Sequence, residues 1–188
     1  MHPQCIVEKT LSYVDMVLLY MYEPVAPNKC DSLKPKHWEP PPVGWVMVNV
    51  DATLFPKTNQ MGLGIVFRNH KEEFIAACRQ CIDKITSPEL AEAIAFKRVI
   101  LFAFGLPYKQ VIIATDCLSL IKKLRSVAID RSFTGTITQD IKKAASASTV
   151  VISFIYVNRG CNEVAHVLAR SANQLSQSVW FYVAPEFL

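Results

Sequence analysis

Charged side chains are scarce in this sequence, at 19% of 188 residues against 51% hydrophobic, where about a quarter charged is usual. That balance excludes a disordered chain and calls for a core buried on both faces of a sheet. Long apolar runs are missing too. The strongest membrane suspect, residues 11–22, is interrupted by Asp15 and lacks a basic flank, and it spans about half of the roughly 20 residues that a crossing needs. With no signal peptide in view, the expectation is an intracellular protein of the nucleus or cytoplasm that does not span a membrane. Cysteine is thinly spread: Cys5, Cys30, Cys78, Cys81, Cys117 and Cys161 include one C-x-x-C and no second pair. A structural zinc needs four ligands, so the six are read as thiols in a reducing compartment. Internal repeats and low-complexity tracts are absent. The length suits one well-buried domain plus an extra segment.

The formal net charge of +4 is unevenly placed: residues 43–188 carry sixteen Lys/Arg against eleven Asp/Glu. A basic domain suits a polyanionic partner without requiring one. Six of the eleven prolines lie between Pro24 and Pro42, a composition that favours extended chain and cannot pair inside a sheet. Residues 1–42 are therefore read as a poorly ordered N-terminal segment with a short helix and a proline-rich linker. Residues 43–175 are read as the folded domain, and 176–188 as a tail.

Within the domain, residues 45–50 form a β-rich run closed by Asp51. Residues 61–68 and 73–82 follow as a hairpin around a polar turn. Thr86, Ser87, Pro88 and Glu89 supply helix-start signals, and Gly105 a stop. Residues 110–115 read as a buried strand ending at Asp116. Helices are expected over 117–127 and 136–147, a strand over 150–157, and a helix over 162–173. The order βββαβααβα predicts an α/β fold with a five-stranded mixed sheet and helices on its faces.

Three carboxylates sit where burial should exclude them. Asp51 closes one apolar run and Asp116 another, while Glu92 shares a helical face with Ala95, Phe96, Val99 and Phe102. An unpaired carboxylate in such company is costly and tends to protonate. Each has a structural alternative: Asp116 as the cap of the next helix, Glu92 as an exposed first-turn acid. Together they suggest strand ends and a helix start converging at one edge of the sheet, where ligands bind in α/β folds. Divalent cations would neutralise such a cluster, and magnesium prefers oxygen ligands.

The same residues carry a pattern. Asn49-Val50-Asp51-Ala52, Ala91-Glu92-Ala93, Ala114-Thr115-Asp116-Cys117 and the run from Asn162 to Arg170 resemble, in order and spacing, the ribonuclease H-like domain of plant non-LTR retroelements and related stand-alone proteins. Trp38-Glu39-Pro40-Pro41 and the closing Ala184-Pro185-Glu186 look like the same group, so the resemblance covers residues 38–188. It implies hydrolysis of the RNA strand of an RNA–DNA hybrid with two Mg²⁺ ions, or Mn²⁺ in their place. Asp51, Glu92 and Asp116 match the first three acidic positions as catalytic metal ligands. The fourth position is His166, and Ala52 stands where glycine is frequent. Imidazole ligates divalent ions but suits zinc or manganese better than magnesium; the alternative is a histidine packed beside the site.

Lys122, Lys123, Arg125, Arg131, Lys142 and Lys143 form a basic cluster. Lys122 and Lys123, with Arg159 near the last motif, are the candidates for the phosphate backbone. Solvated helix faces look alike. Two further readings stay open: a retroelement-derived domain that binds nucleic acid with little or no cleavage, and a protein-interaction module. A monomer is expected.

Overall fold

The computed structural model describes residues 37–172 and 177–188, all within one compact unit, Pro35–Leu188. The expected helix and most of the linker within residues 1–36 lie outside the described residues, as do Cys5 and Cys30. Among the described residues no helix is long and apolar enough to cross a membrane.

The first three strands, β1 (Val46–Phe55), β2 (Gln60–Asn69) and β3 (Phe74–Asp83), form an antiparallel meander. Helix α1 (Pro88–Phe104) leads to β4 (Gln110–Thr115); α2 (Leu118–Arg125) and α3 (Phe133–Ala147) lead to β5 (Val151–Tyr156). A single turn at Arg159–Cys161 precedes α4 (Glu163–Ser171), and β6 (Ser178–Phe181) closes the chain. The sheet order is β5-β4-β1-β2-β3-β6, with β4 parallel to β1 and β5 parallel to β4.

Two expectations need correction. The sheet has six strands, because part of the presumed tail pairs antiparallel with β3 from Ala76↔Phe181 to Arg79↔Ser178. Trp180 and Phe187 meet edge to face, and the Arg79 guanidinium lies 5.2 Å and 5.1 Å from their rings. Asp51 does not close its strand, since β1 runs on to Phe55 and Asp51 pairs with Gly64. Extension through the hairpin outweighs the change in polarity at the aspartate.

Local signals account for the helix starts. Ser87 accepts from the Leu90 amide ahead of α1, and Ser132 accepts from the Gly135 amide ahead of α3. The second cap starts α3 three residues before the expected point. Gly105 follows α1 at φ −78° and ψ −8°, so the stop does not use glycine's access to positive φ.

The two faces of the sheet are covered differently. Val46, Val48 and Val50 of β1 join Leu63, Ile65 and Phe67 of β2 in a core with Phe96, Val99 and Ile100 of α1 and Ile121 of α2. Burying each large side chain of this kind stabilises the fold by about 1.5–3 kcal/mol. On the opposite face Val66 and Ala77 meet Ala165 and Leu168 of α4. That contact is close because β2 presents Gly62 and Gly64: a Cβ at either would overlap backbone oxygen, of Ala169 and Ala165 respectively. Gly64→Ala should therefore cost about 1–3 kcal/mol of overpacking. A thermal melt should show it as a loss of several degrees, at about 2–4 °C per kcal/mol for a chain of this size. An unchanged melting temperature would mean that α4 is not seated as described.

Candidate active site

Strand alternation turns Asn49 and Asp51 toward α4 while their valine neighbours face the main core. Asp51 is 5% exposed. Its Oδ2 lies 2.8 Å from Nδ1 of His166 on α4. The other ring nitrogen, Nε2, lies 3.3 Å from a guanidinium nitrogen of Arg159. Arginine has no acceptor, so Nε2 accepts and Nδ1 carries the proton donated to Asp51. His166 thus spans a carboxylate and a guanidinium, with both nitrogens engaged.

Glu92 comes from the second turn of α1 on the other face. One carboxylate oxygen, Oε2, is buried without a hydrogen-bond partner. Burial is the main cause that pushes its carboxyl up to about 9, with Asp51 and Asp116 adding repulsion and the Ala52 backbone amide offsetting part of it. Asp51 is also raised, first by burial and then by Asp116, against the lowering effect of the His166 hydrogen bond. Asp116, just beyond β4, does not cap α2: Cys117 stands at the helix start, and Asp116 Oδ1 accepts from the Asn162 amide at 3.1 Å.

Asp51, Glu92, Asp116, Arg159 and His166 line one cleft of about 370 Å³, with Glu89, Cys117 and Ser119 at its sides. All four residues picked from the motifs therefore come together, and so does Arg159. Among the described residues no three His, Cys, Asp or Glu side chains draw close enough to enclose an ion as they stand. Asp51 is held by His166, and Asp116 by Asn162. The chemistry of the donor set nonetheless suits a hard divalent cation. Its donors are carboxylate oxygens that repel one another, and one of them is buried with nothing to bond.

The basic cluster is partly spent within the fold. Lys123 binds Glu89 at 2.6 Å and Asp130 at 2.7 Å. Arg125 donates to the Phe154 carbonyl, and Lys142 to that of Ser126. Lys122, Arg131, Lys143 and Arg159 are exposed. The C-x-x-C is not a reactive pair: Cys78 is buried, and burial pushes its thiol up to about 11.

Asn49, Asn162 and Trp38 belong to the sequence motifs without an assigned role, and Arg68 lies outside them. Asn49 and Asn162 are 0% and 1% exposed, and they bond to each other at 3.1 Å. The available signal was an asparagine inside the apolar run 46–50, which a buried strand tolerates only if its amide is satisfied.

An antiparallel meander continued by parallel crossovers, with acidic residues gathered beside its central strand, defines a ribonuclease H-like protein. The profile of the reverse transcriptase-like family matches residues 49–172, and the chain belongs to that family. Among solved structures it is similar to the N-terminal RNase H domain of a Mycobacterium tuberculosis protein, at 18% identity and TM-score 0.60 over 68% of this chain and 92% of that one. RNase H1 of Halobacterium salinarum gives 16%, 0.58, 68% and 96% for the same quantities. LC11-RNase H1, solved with an RNA/DNA hybrid, gives 16%, 0.57, 68% and 95%. No curated protein matches the chain.

Proposed function

We propose that this protein is a metal-dependent endonuclease that hydrolyses the RNA strand of RNA–DNA hybrids, acting as a monomer in the nucleus or cytoplasm. The observation that carries this reading is the Glu92 Oε2 oxygen, buried and unpartnered in a cleft shared with Asp51 and Asp116. Family membership and the fold support it. Asp51, Glu92 and Asp116 would hold two divalent cations, Mg²⁺ or Mn²⁺, with His166 beside them. When bound, such ions supply an activated water and stabilise the leaving oxygen.

The chain's own groups orient the rest. Arg159, exposed at the cleft and hydrogen-bonded to His166, is placed to meet a phosphate. Lys122 is exposed one turn along α2 and would follow the backbone further out, while Lys123 would have to leave Glu89 and Asp130 to do so. Selection of the hybrid would rest on duplex shape and 2′-hydroxyl contacts rather than on base sequence. The test is cleavage of an end-labelled RNA–DNA hybrid with Mg²⁺ and with Mn²⁺, using single-stranded and duplex RNA as controls. Cutting confined to the RNA strand of the hybrid is expected. Binding without cutting in either metal would make the chain a nucleic-acid-binding domain instead.

His166 provides a finer test. His166→Asp would replace a donor to Asp51 with a second carboxylate, so its melting temperature in chelator should fall below the parent's. Mg²⁺ should then restore more stability to the variant than to the parent, and the advantage of Mn²⁺ over Mg²⁺ in cleavage should shrink. Equal responses to metal in both proteins would return His166 to a packing role.

A further inference from the structure

On the α4 side of the sheet, four polar side chains form one chain of hydrogen bonds that ends on Asp116. At its outer end the Trp38 indole N–H donates to Asn49 Oδ1 at 2.9 Å. Arg68 donates to the same oxygen at 3.0 Å, with its guanidinium 3.6 Å from the centre of the Trp38 ring. Asn49 Nδ2 then donates to the Cys161 carbonyl at 3.2 Å and to Asn162 Oδ1 at 3.1 Å. Asn162 Nδ2 in turn donates to the Val50 carbonyl at 2.9 Å and to Asp116 Oδ1 at 3.1 Å.

The direction of this chain is not arbitrary. An amide can usually be turned over, exchanging its oxygen and nitrogen. Here indole and guanidinium only donate, so Asn49 must present its oxygen to them and its N–H groups inward. That forces Asn162 to accept from Asn49 and to donate onward. Its amide bridges the carbonyl next to Asp51 on β1 and the carboxylate that follows β4. The separation of the two aspartates is therefore tied to one buried side chain, whose orientation is set by Trp38 and Arg68.

We infer that Trp38, Arg68, Asn49 and Asn162 form a directional relay that positions Asp116 relative to Asp51. The segment preceding the first strand, outside the family match, thereby belongs to the active site. An apolar pair would fill the same space without buried amides to satisfy, so packing alone gives no reason for two of them. The catalytic part of this inference rests on the proposed nuclease activity; the relay itself does not.

The test uses the full chain and two variants. Asn49→Asp keeps the size of the side chain and still accepts from Trp38 and Arg68, but it cannot donate to Asn162. The Asn162 oxygen then faces an acceptor in place of a donor, and turning its amide over would only bring that oxygen against the Val50 carbonyl and the Asp116 carboxylate, so Asn162 is no longer held in one orientation toward Asp116. Trp38→Phe keeps a ring over Arg68 and removes only the N–H. With melting temperatures measured alongside to confirm folding, kcat on the hybrid should fall about 100-fold for Asn49→Asp and about three- to tenfold for Trp38→Phe, with KM within about twofold of the parent. Independently of activity, ¹⁵N–¹H spectra should show the Asn162 side-chain amide signals displaced in both variants, although the Trp38 N–H bonds to Asn49 and not to Asn162. Signals that stay in place in both variants would overturn the relay, with or without a change in kcat. Unmoved kcat in an active enzyme with displaced signals would overturn its positioning role. If the parent does not cut hybrid at all, the nuclease reading and the catalytic role fall together, and the amide signals alone decide the relay.

Discussion

Asp51→Asn should lower hybrid cleavage by at least about 100-fold while leaving hybrid binding intact or tighter, since electrostatic stabilisation is usually the largest catalytic contribution. The substitution keeps the side chain's shape, and its amide oxygen can still accept from His166 Nδ1, the partner that Asp51 holds at 2.8 Å. What it removes is a negative charge at the centre of the acidic cleft, and with it repulsion toward an incoming phosphate. Burial already raises the Asp51 carboxyl, and Asp116 raises it further, so losing that charge should not unfold the domain in chelator. Single-turnover cleavage and a binding titration on the same hybrid separate the two effects. A variant that cuts as fast as the parent would place hydrolysis elsewhere.

Glu92→Gln should do two opposite things: abolish cleavage to a similar degree and stabilise the metal-free protein. Its Oε2 is buried without a partner, and such a group costs about 1–3 kcal/mol, more when charged. In the folded chain the Glu92 carboxyl is pushed up to about 9, from 4.5. A raised carboxyl means that the unfolded chain releases its proton first, so this group's contribution to stability is lost as pH rises from about 4.5 toward 9. Glutamine does not titrate. In chelator the variant should therefore melt several degrees above the parent at pH 8, and the gain should shrink as pH falls toward 4.5. Added Mg²⁺ should narrow the gap at pH 8 by stabilising the parent alone. A variant less stable than the parent at pH 8 would show that Glu92 is already satisfied without an ion.

Much of this fold is legible in the sequence. The β-rich runs over 45–50 and 61–68, the Ser87-Pro88 start and the apolar run closed by Asp116 are local signals; β2, α1 and β4 follow them closely, while β1 starts with its run and outlasts it. The three acids stood out because each interrupts an apolar pattern, and they do line one cleft. Other features were less readable because their causes are remote. The sixth strand exists because β3 offers a free edge and Arg79 lies over Trp180 and Phe187, a contact across about half the chain. Asp51 sits within β1 rather than at its end because β2 pairs past it, with Gly64 opposite.

The α/β order, the acidic residues set against apolar surroundings and the family pattern are written in the sequence, since propensity, periodicity and spacing act between near neighbours. What each polar group meets follows from the assembled fold. Nothing in the spacing of Asp51, Arg159 and His166 says that His166 donates to one and accepts from the other. Nor does it say that Trp38 lies at the outer end of a hydrogen-bond chain reaching Asp116. Those pairings depend on α4 resting directly on Gly62 and Gly64, and a hydrogen bond is settled by tenths of an ångström that only the assembled fold can set.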